Sequence, residues 1–250
     1  MKKAFAVLLH IIIYLGIYAC ASAFLKKPAF PSLSVIWQSH LVPSIREIGS
    51  DLPYTIMRWL FVFLIGVITA VIIGLLIGYH RRLHATLKAD IDFWRSLPAT
   101  ALITFFMAAF GDTEITRSLP ALYITFFTVL FYASKHSSLL KNPRVRHLRD
   151  LGANSFFILR HCIILELSNP LIIAARQALS LSFLVMISTE FIIGSSHDKG
   201  LGKLFYDWLF QTNYGRFLVG LTILGITGYS FNSIGAWIHK RLIRWETVED

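Results

Sequence analysis

Apolar residues in this chain gather into long blocks with almost no charge inside them. Five stretches, Ala4–Leu25, Trp59–His80, Ser96–Gly111, Ser118–Ser134 and Phe217–His239, hold no Asp, Glu, Lys or Arg; a sixth, about Pro170–Gly194, carries Arg176 and Glu190. Helices of about 20 apolar residues match a bilayer core of roughly 30 Å. Lipid offers no partner to a backbone N–H or C=O, so each span has to satisfy its own as a helix. The pattern predicts an all-α polytopic membrane protein with about six transmembrane helices.

Between the fourth and fifth blocks lies a short basic segment, Arg144-Val-Arg-His-Leu-Arg-Asp-Leu-Gly152-Ala153-Asn154. It is too short for a domain and too patterned for a passive loop. Leu148 and Leu151 fall on one side of a short helix, the charges fall on the other, and Gly152 ends it. In a chain with little other soluble mass, such an element is expected to touch a partner.

Lys and Arg set the orientation. With Lys2 and Lys3 inside, the same side holds Arg81, Arg82 and Lys88, then Lys135 through Arg160, then Lys240, Arg241 and Arg244. Both termini are therefore expected in the cytosol. Lys2-Lys3, an apolar run and Ala21-Ser-Ala23 resemble a secretory signal. The block Ala4–Leu25 exceeds the usual apolar core of such signals and is long enough to span, so a retained first helix is expected.

Composition agrees: 55% of residues are hydrophobic and 15% charged, and the mean hydropathy is +0.61. The formal net charge of +10 suits positive-inside loops and anionic lipid better than nucleic acid. Cys20 and Cys162 lie in or beside apolar blocks, which argues against a disulfide framework, a metal site or a redox pair. No phosphate-cradling loop is present: ahead of Gly202-Lys203 the first glycine would have to be His197, and Leu204 replaces the Ser or Thr. Any ATP that drives this protein is bound by another chain. His80 and His84 share a helix face with Asp90 and Asp92 downstream, but they complete no metal ligand set. No nucleophile with a His partner emerges, and no cofactor is implied.

Charges within a membrane segment point to function, since each costs at least about 2.5–3.5 kcal/mol at a helix centre. Arg176 falls about two turns from the cytosolic start of its block, within snorkelling reach of the interface. Glu190 falls near the outer end, either as a water-facing residue at the helix exit or as a gate or cavity group. Gly66, Gly74 and Gly78 mark one helix flank, and Gly220, Gly228 and Gly235 another, as close packing or a pore lining would need.

Four stretches then resemble a known family, the inner-membrane permease subunits of binding-protein-dependent ABC importers, and within it the nitrate, taurine, alkanesulfonate and thiamine-precursor branch. Arg95-Ser-Leu-Pro98, Ala101-Leu102 and Phe110-Gly111 resemble the entry to its third helix. Leu151-Gly-Ala-Asn154 through Arg160-His161 resembles its cytosolic loop. Ala175-Arg-Gln-Ala-Leu179, Glu190-Phe191 and Gly200-Leu-Gly202 resemble its fifth helix and the outer loop that follows. Ile238-His-Lys-Arg-Leu-Ile-Arg-Trp245 resembles its basic tail.

The resemblance runs from about Leu52 to Trp245. It implies a type I ABC importer permease domain over 52–245, after a first helix and outer loop (1–51) and before a tail (246–250). The cytosolic loop, about 135–165, would dock on ABC ATPase subunits. Arg146, His147, Leu148, Leu151 and Gly152 would carry the coupling, and Arg176 and Glu190 would be gate or cavity groups. The implied partners are those ATPases, an extracytoplasmic solute-binding protein, a second permease copy and the lipid of the inner membrane. Hydrolysis would occur on the ATPase, so the permease is not an enzyme. The solute would be a small anion, such as a sulfonate or nitrate, or a thiamine-like precursor.

Two departures stand out. The family's E-A-A positions are Arg146, His147 and Leu148, and its proline before the fifth helix is Leu165, with Pro170 following. An ion-coupled secondary transporter, a membrane enzyme built on His80, His84, Asp90 and Asp92, and a non-transporting assembly subunit are the alternative readings.

Overall fold

The computed structural model describes residues 2–136, 143–193 and 199–243. Residues 137–142 of the basic loop, Gly194 to Asp198, and the end of the tail with Arg244, Trp245 and residues 246–250 lie outside the described part. Helix α1 (Lys2–Leu25) is followed by α2 (Leu33–Val35), which passes through a π-helical turn, Ile36–His40, into α3 (Leu41–Tyr79). Then come α4 (Arg81–Ser96), α5 (Ala99–Phe110), α6 (Glu114–His136), α7 (Pro143–Asp150) and α8 (Ser155–Ile158). A second π-helical turn, Leu159–Ile163, leads into α9 (Ile164–Ile193), and α10 (Leu201–Phe210) and α11 (Tyr214–Leu242) complete the chain. No strand occurs among the described residues.

Four of these helices are long and apolar enough to cross a membrane: Leu33–Gly78, Glu114–Lys135, Ile164–Ile193 and Tyr214–Leu242. The stretch Ser96–Gly111, expected to span by itself, does not. Its helix α5 has 12 residues, about 18 Å at 1.5 Å per residue. It meets α4 at 86°, and only the two together have the length of a fifth span. The break falls at Leu97-Pro98. Leu97 is extended (φ −67°, ψ 131°), because a following proline disfavours the α-helical region. Helix α1 is continuous over 24 residues.

Helix α6 lies at the centre of the bundle, packed along both α3 and α9. Two glycines of α3 bring it close: a Cβ on Gly66 would stand 2.8 Å from the Thr125 methyl, and one on Gly74 2.5 Å from Ala133 Cβ. Close approach of this kind is what holds helices together where lipid competes for apolar surface. Gly228, by contrast, faces open space. The core centres on Trp59, whose ring lies 5.3 Å from Phe183 and 4.8 Å from Phe231. Its indole N–H donates to Ser182 Oγ at 2.8 Å, which meets the hydrogen bond a buried tryptophan needs.

Candidate functional site

The basic segment forms a capped knob on the bundle. Helix α7 closes with Gly152 in the left-handed region (φ +80°). The Ala153 N–H donates to the Leu148 carbonyl at 3.0 Å and the Gly152 N–H to the Arg149 carbonyl at 2.9 Å. This is the paired bonding of a Schellman end, which glycine adopts without a Cβ penalty. Two residues later Asn154 starts the next helix: its Oδ1 accepts the Phe156 N–H at 2.9 Å, as an N-cap side chain does. Val145, Ile158 and Cys162 are buried together, with Leu148 and Ala153 packed against them.

The five residues singled out here divide. Leu148 turns partly inward onto that small core, whereas Arg146, His147, Leu151 and Gly152 are exposed, Leu151 by 69%. The knob therefore shows Leu151 beside basic groups, with Phe156 and Phe157 also exposed just past the turn, and caps on both sides hold it at a fixed angle.

Roughly 39 Å further along α9, Glu190 is not water-facing. It is 4% exposed and fully engaged. Thr55 Oγ1 donates to its Oε2 at 2.8 Å, Arg58 Nη1 to its Oε1 at 2.5 Å and the Gly202 N–H to Oε2 at 3.1 Å. Thr55 in turn accepts the Leu201 N–H at 2.9 Å, and Asp51 accepts the Gly200 N–H at 3.3 Å. The leading N–H groups of α10, which have no partner within their own helix, are thus met by side chains of α3 and α9. A carboxylate at that position also suits the positive end of the helix dipole.

Arg58 extends the network to α6. Its Nε and Nη2 bind the Glu114 carboxylate at 2.7 and 2.9 Å, and Glu114 and Asp112 accept from Arg117 at 3.1 and 2.5 Å. Sequence reading missed Thr55, Arg58, Glu114 and Gly202 as partners of Glu190. The available signal was that Arg58 is a cation at the edge of an apolar block, a position that calls for a carboxylate.

Arg176 lies deeper than the apolar block suggested. Helix α9 begins at Ile164 rather than near Pro170, which places Arg176 about 18 Å from its start. Its stem crosses Gly235 of α11, where an added Cβ would stand 2.9 Å from Arg176 Cγ. Its Nε and Nη2 reach Asn232 Oδ1 at 3.4 and 3.5 Å. The Asp90 and Asp92 side chains do not gather with His80 and His84 into a metal cluster among the described residues.

The family model for the binding-protein-dependent transport system inner membrane component matches residues 63–244. A probable ABC transporter permease protein of Brucella abortus (strain 2308) is 20% identical over 200 residues, 80% of this chain and 79% of that protein. A Bacillus subtilis (strain 168) protein named as an aliphatic sulfonates transport permease, SsuC, is 23% identical over 80% of this chain and 71% of its own length. Among solved structures, an inward-facing conformation of the MetNI methionine ABC transporter has a similar fold. Its TM-score is 0.62 at 19% identity, over 80% of this chain and 98% of that one.

Proposed function

This chain belongs to the family of binding-protein-dependent transport system inner membrane components, and from that membership we propose a specific working arrangement. As a member it is the permease subunit of an ABC importer, a multi-pass inner-membrane protein whose ATP is hydrolysed on a separate ATPase chain. Two copies pair around the translocation path, both termini face the cytosol, and the α7 knob seats in a groove of the ATPase. A solute-binding protein delivers the solute from the other side. That solute is a small anion of the sulfonate or nitrate kind, or a thiamine-like precursor; the likeness to SsuC favours a sulfonate.

The observation that carries this reading is the match over 63–244, which encloses the exposed and doubly capped knob. Closure of an ATPase pair draws two rigid knobs together, and rigid-body motion of the attached helices shifts the path between two states. The rigidity of the turn matters, because a frayed end would absorb the displacement.

Co-purification from membranes in mild detergent tests the arrangement, with wild type beside Leu151→Asp and Gly152→Asp. The expected result is an ATP-hydrolysing chain that accompanies wild type and is lost from both variants. Its absence from wild type, or its retention by the variants, would overturn docking through the knob.

A further inference from the structure

Between α9 and α11 lies a groove of about 410 Å³, within the size of small-molecule sites. Phe231, Leu184 and Leu221 supply apolar walls over the buried Phe183, and Ser180, Tyr229 and Asn232 supply polar groups. Gly228 opens it, since no atom stands within 4 Å of where its Cβ would be. Arg176 adjoins the groove: it is one helical turn before Ser180, and it reaches the lining residue Asn232.

Three other arginines of the bundle are paired differently. Arg58 binds two carboxylates, Arg117 two and Arg216 one. The hydrogen bonds of Arg176 run to Asn232, at lengths near the limit of such contacts, and no carboxylate pairs with it among the described residues. A guanidinium carries five N–H donors in a fixed fork. In an apolar span a charge is expensive enough that its partner is usually functional. Gly235 lets the Arg176 stem lie flat on α11, which holds the fork toward Asn232 rather than toward either end of the helix.

We infer that this groove binds the anionic head of an organic solute at Arg176 and Asn232, with its apolar part against Phe231 and Leu184. The inference rests on the permease reading and makes it more definite: the solute is an organic anion, and this chain takes part in selecting it. A sulfonate or carboxylate offers two oxygens to the fork of Arg176.

Binding of pentanesulfonate to the full chain in nanodiscs tests this, with 1-pentanol and nitrate as controls and ATPase co-purification followed in parallel. Saturable binding of pentanesulfonate is expected. Arg176→Gln should weaken it about 10- to 100-fold, the usual effect of losing a charge-assisted hydrogen bond. Arg176→Lys should weaken it less than Arg176→Gln does, since charge survives without the fork. Gly228→Leu, which fills the groove, should abolish binding with ATPase association intact, and it decides the matter if Arg176→Gln fails to assemble. Equal binding of pentanol, binding of nitrate alone, or unchanged affinity in Arg176→Gln or Gly228→Leu would overturn the inference. Failure of the permease reading looks different: wild type would then bring down no ATPase, whatever it binds.

Discussion

Arg58 Nη1 stands 2.5 Å from Glu190 Oε1, a contact between a half-buried arginine and a buried carboxylate 132 positions apart in sequence. The pair joins α3 to α9 and, through the Gly202 N–H, fixes the start of α10. A buried ion pair adds little over an apolar pair of equal shape, but removal of one partner strands the other charge.

Arg58→Met, which strands the buried Glu190 carboxylate, should therefore destabilise the protein by about 3–5 kcal/mol, and Glu190→Leu by less, since Arg58 keeps its paired bonds to Glu114. The double variant should lose less than the sum of the two. Thermal unfolding of all four proteins in one detergent measures the coupling. Strict additivity would mean that the pair does not act as a unit.

Gly202 and Gly228 should respond in opposite ways to alanine. A Cβ at Gly202 would run into the Ile187 carbonyl, Glu190 Cβ and the Phe191 N–H, so Gly202→Ala should cost about 1–3 kcal/mol by forcing α10 off α9. Gly228→Ala meets nothing within 4 Å and should be neutral or gain up to about 1 kcal/mol from helix propensity. Melting temperatures of the two variants, compared with wild type, check the contrast.

Gly152→Ala should weaken the knob by about 1–2 kcal/mol, because its φ of +80° penalises a Cβ. Gly152→Asn should be milder, since asparagine tolerates that region. The amount of ATPase retained through a wash series reads the effect, with the order wild type, Asn, Ala.

Asn154→Ala removes the acceptor for the Phe156 N–H and should cost about 1 kcal/mol, whereas Asn154→Asp keeps it. Hydrogen exchange at the start of α8 should quicken in the alanine variant and stay slow in the aspartate one.

Arg146 is exposed on α7, on the knob proposed to dock on the ATPase. If its ATPase has adapted to that cation, Arg146→Glu should weaken association with this chain's own ATPase, more strongly at low salt than at high. Association unchanged across a salt series would show that Arg146 does not face the ATPase.

What the sequence determined by itself was the set of apolar blocks and the basic segment between them. Membrane helices are legible because lipid makes each one satisfy its own backbone, so composition over about 20 residues suffices. Gly152 as a helix end was legible for a similar local reason. Three things were decided only by tertiary structure. The break before Pro98 follows a local rule, but the 86° angle that leaves α5 as a short helix across its neighbour was set by packing. Glu190, which the sequence left between a water-facing exit residue and a gate or cavity group, lies at the centre of a network because Thr55 and Arg58, far away in sequence, converge on it. Arg176 came to rest beside Asn232 and a groove because Gly235 admits its stem. Pairing between distant charges, and the space a missing Cβ leaves, depend on how helices pack, and a single sequence records neither.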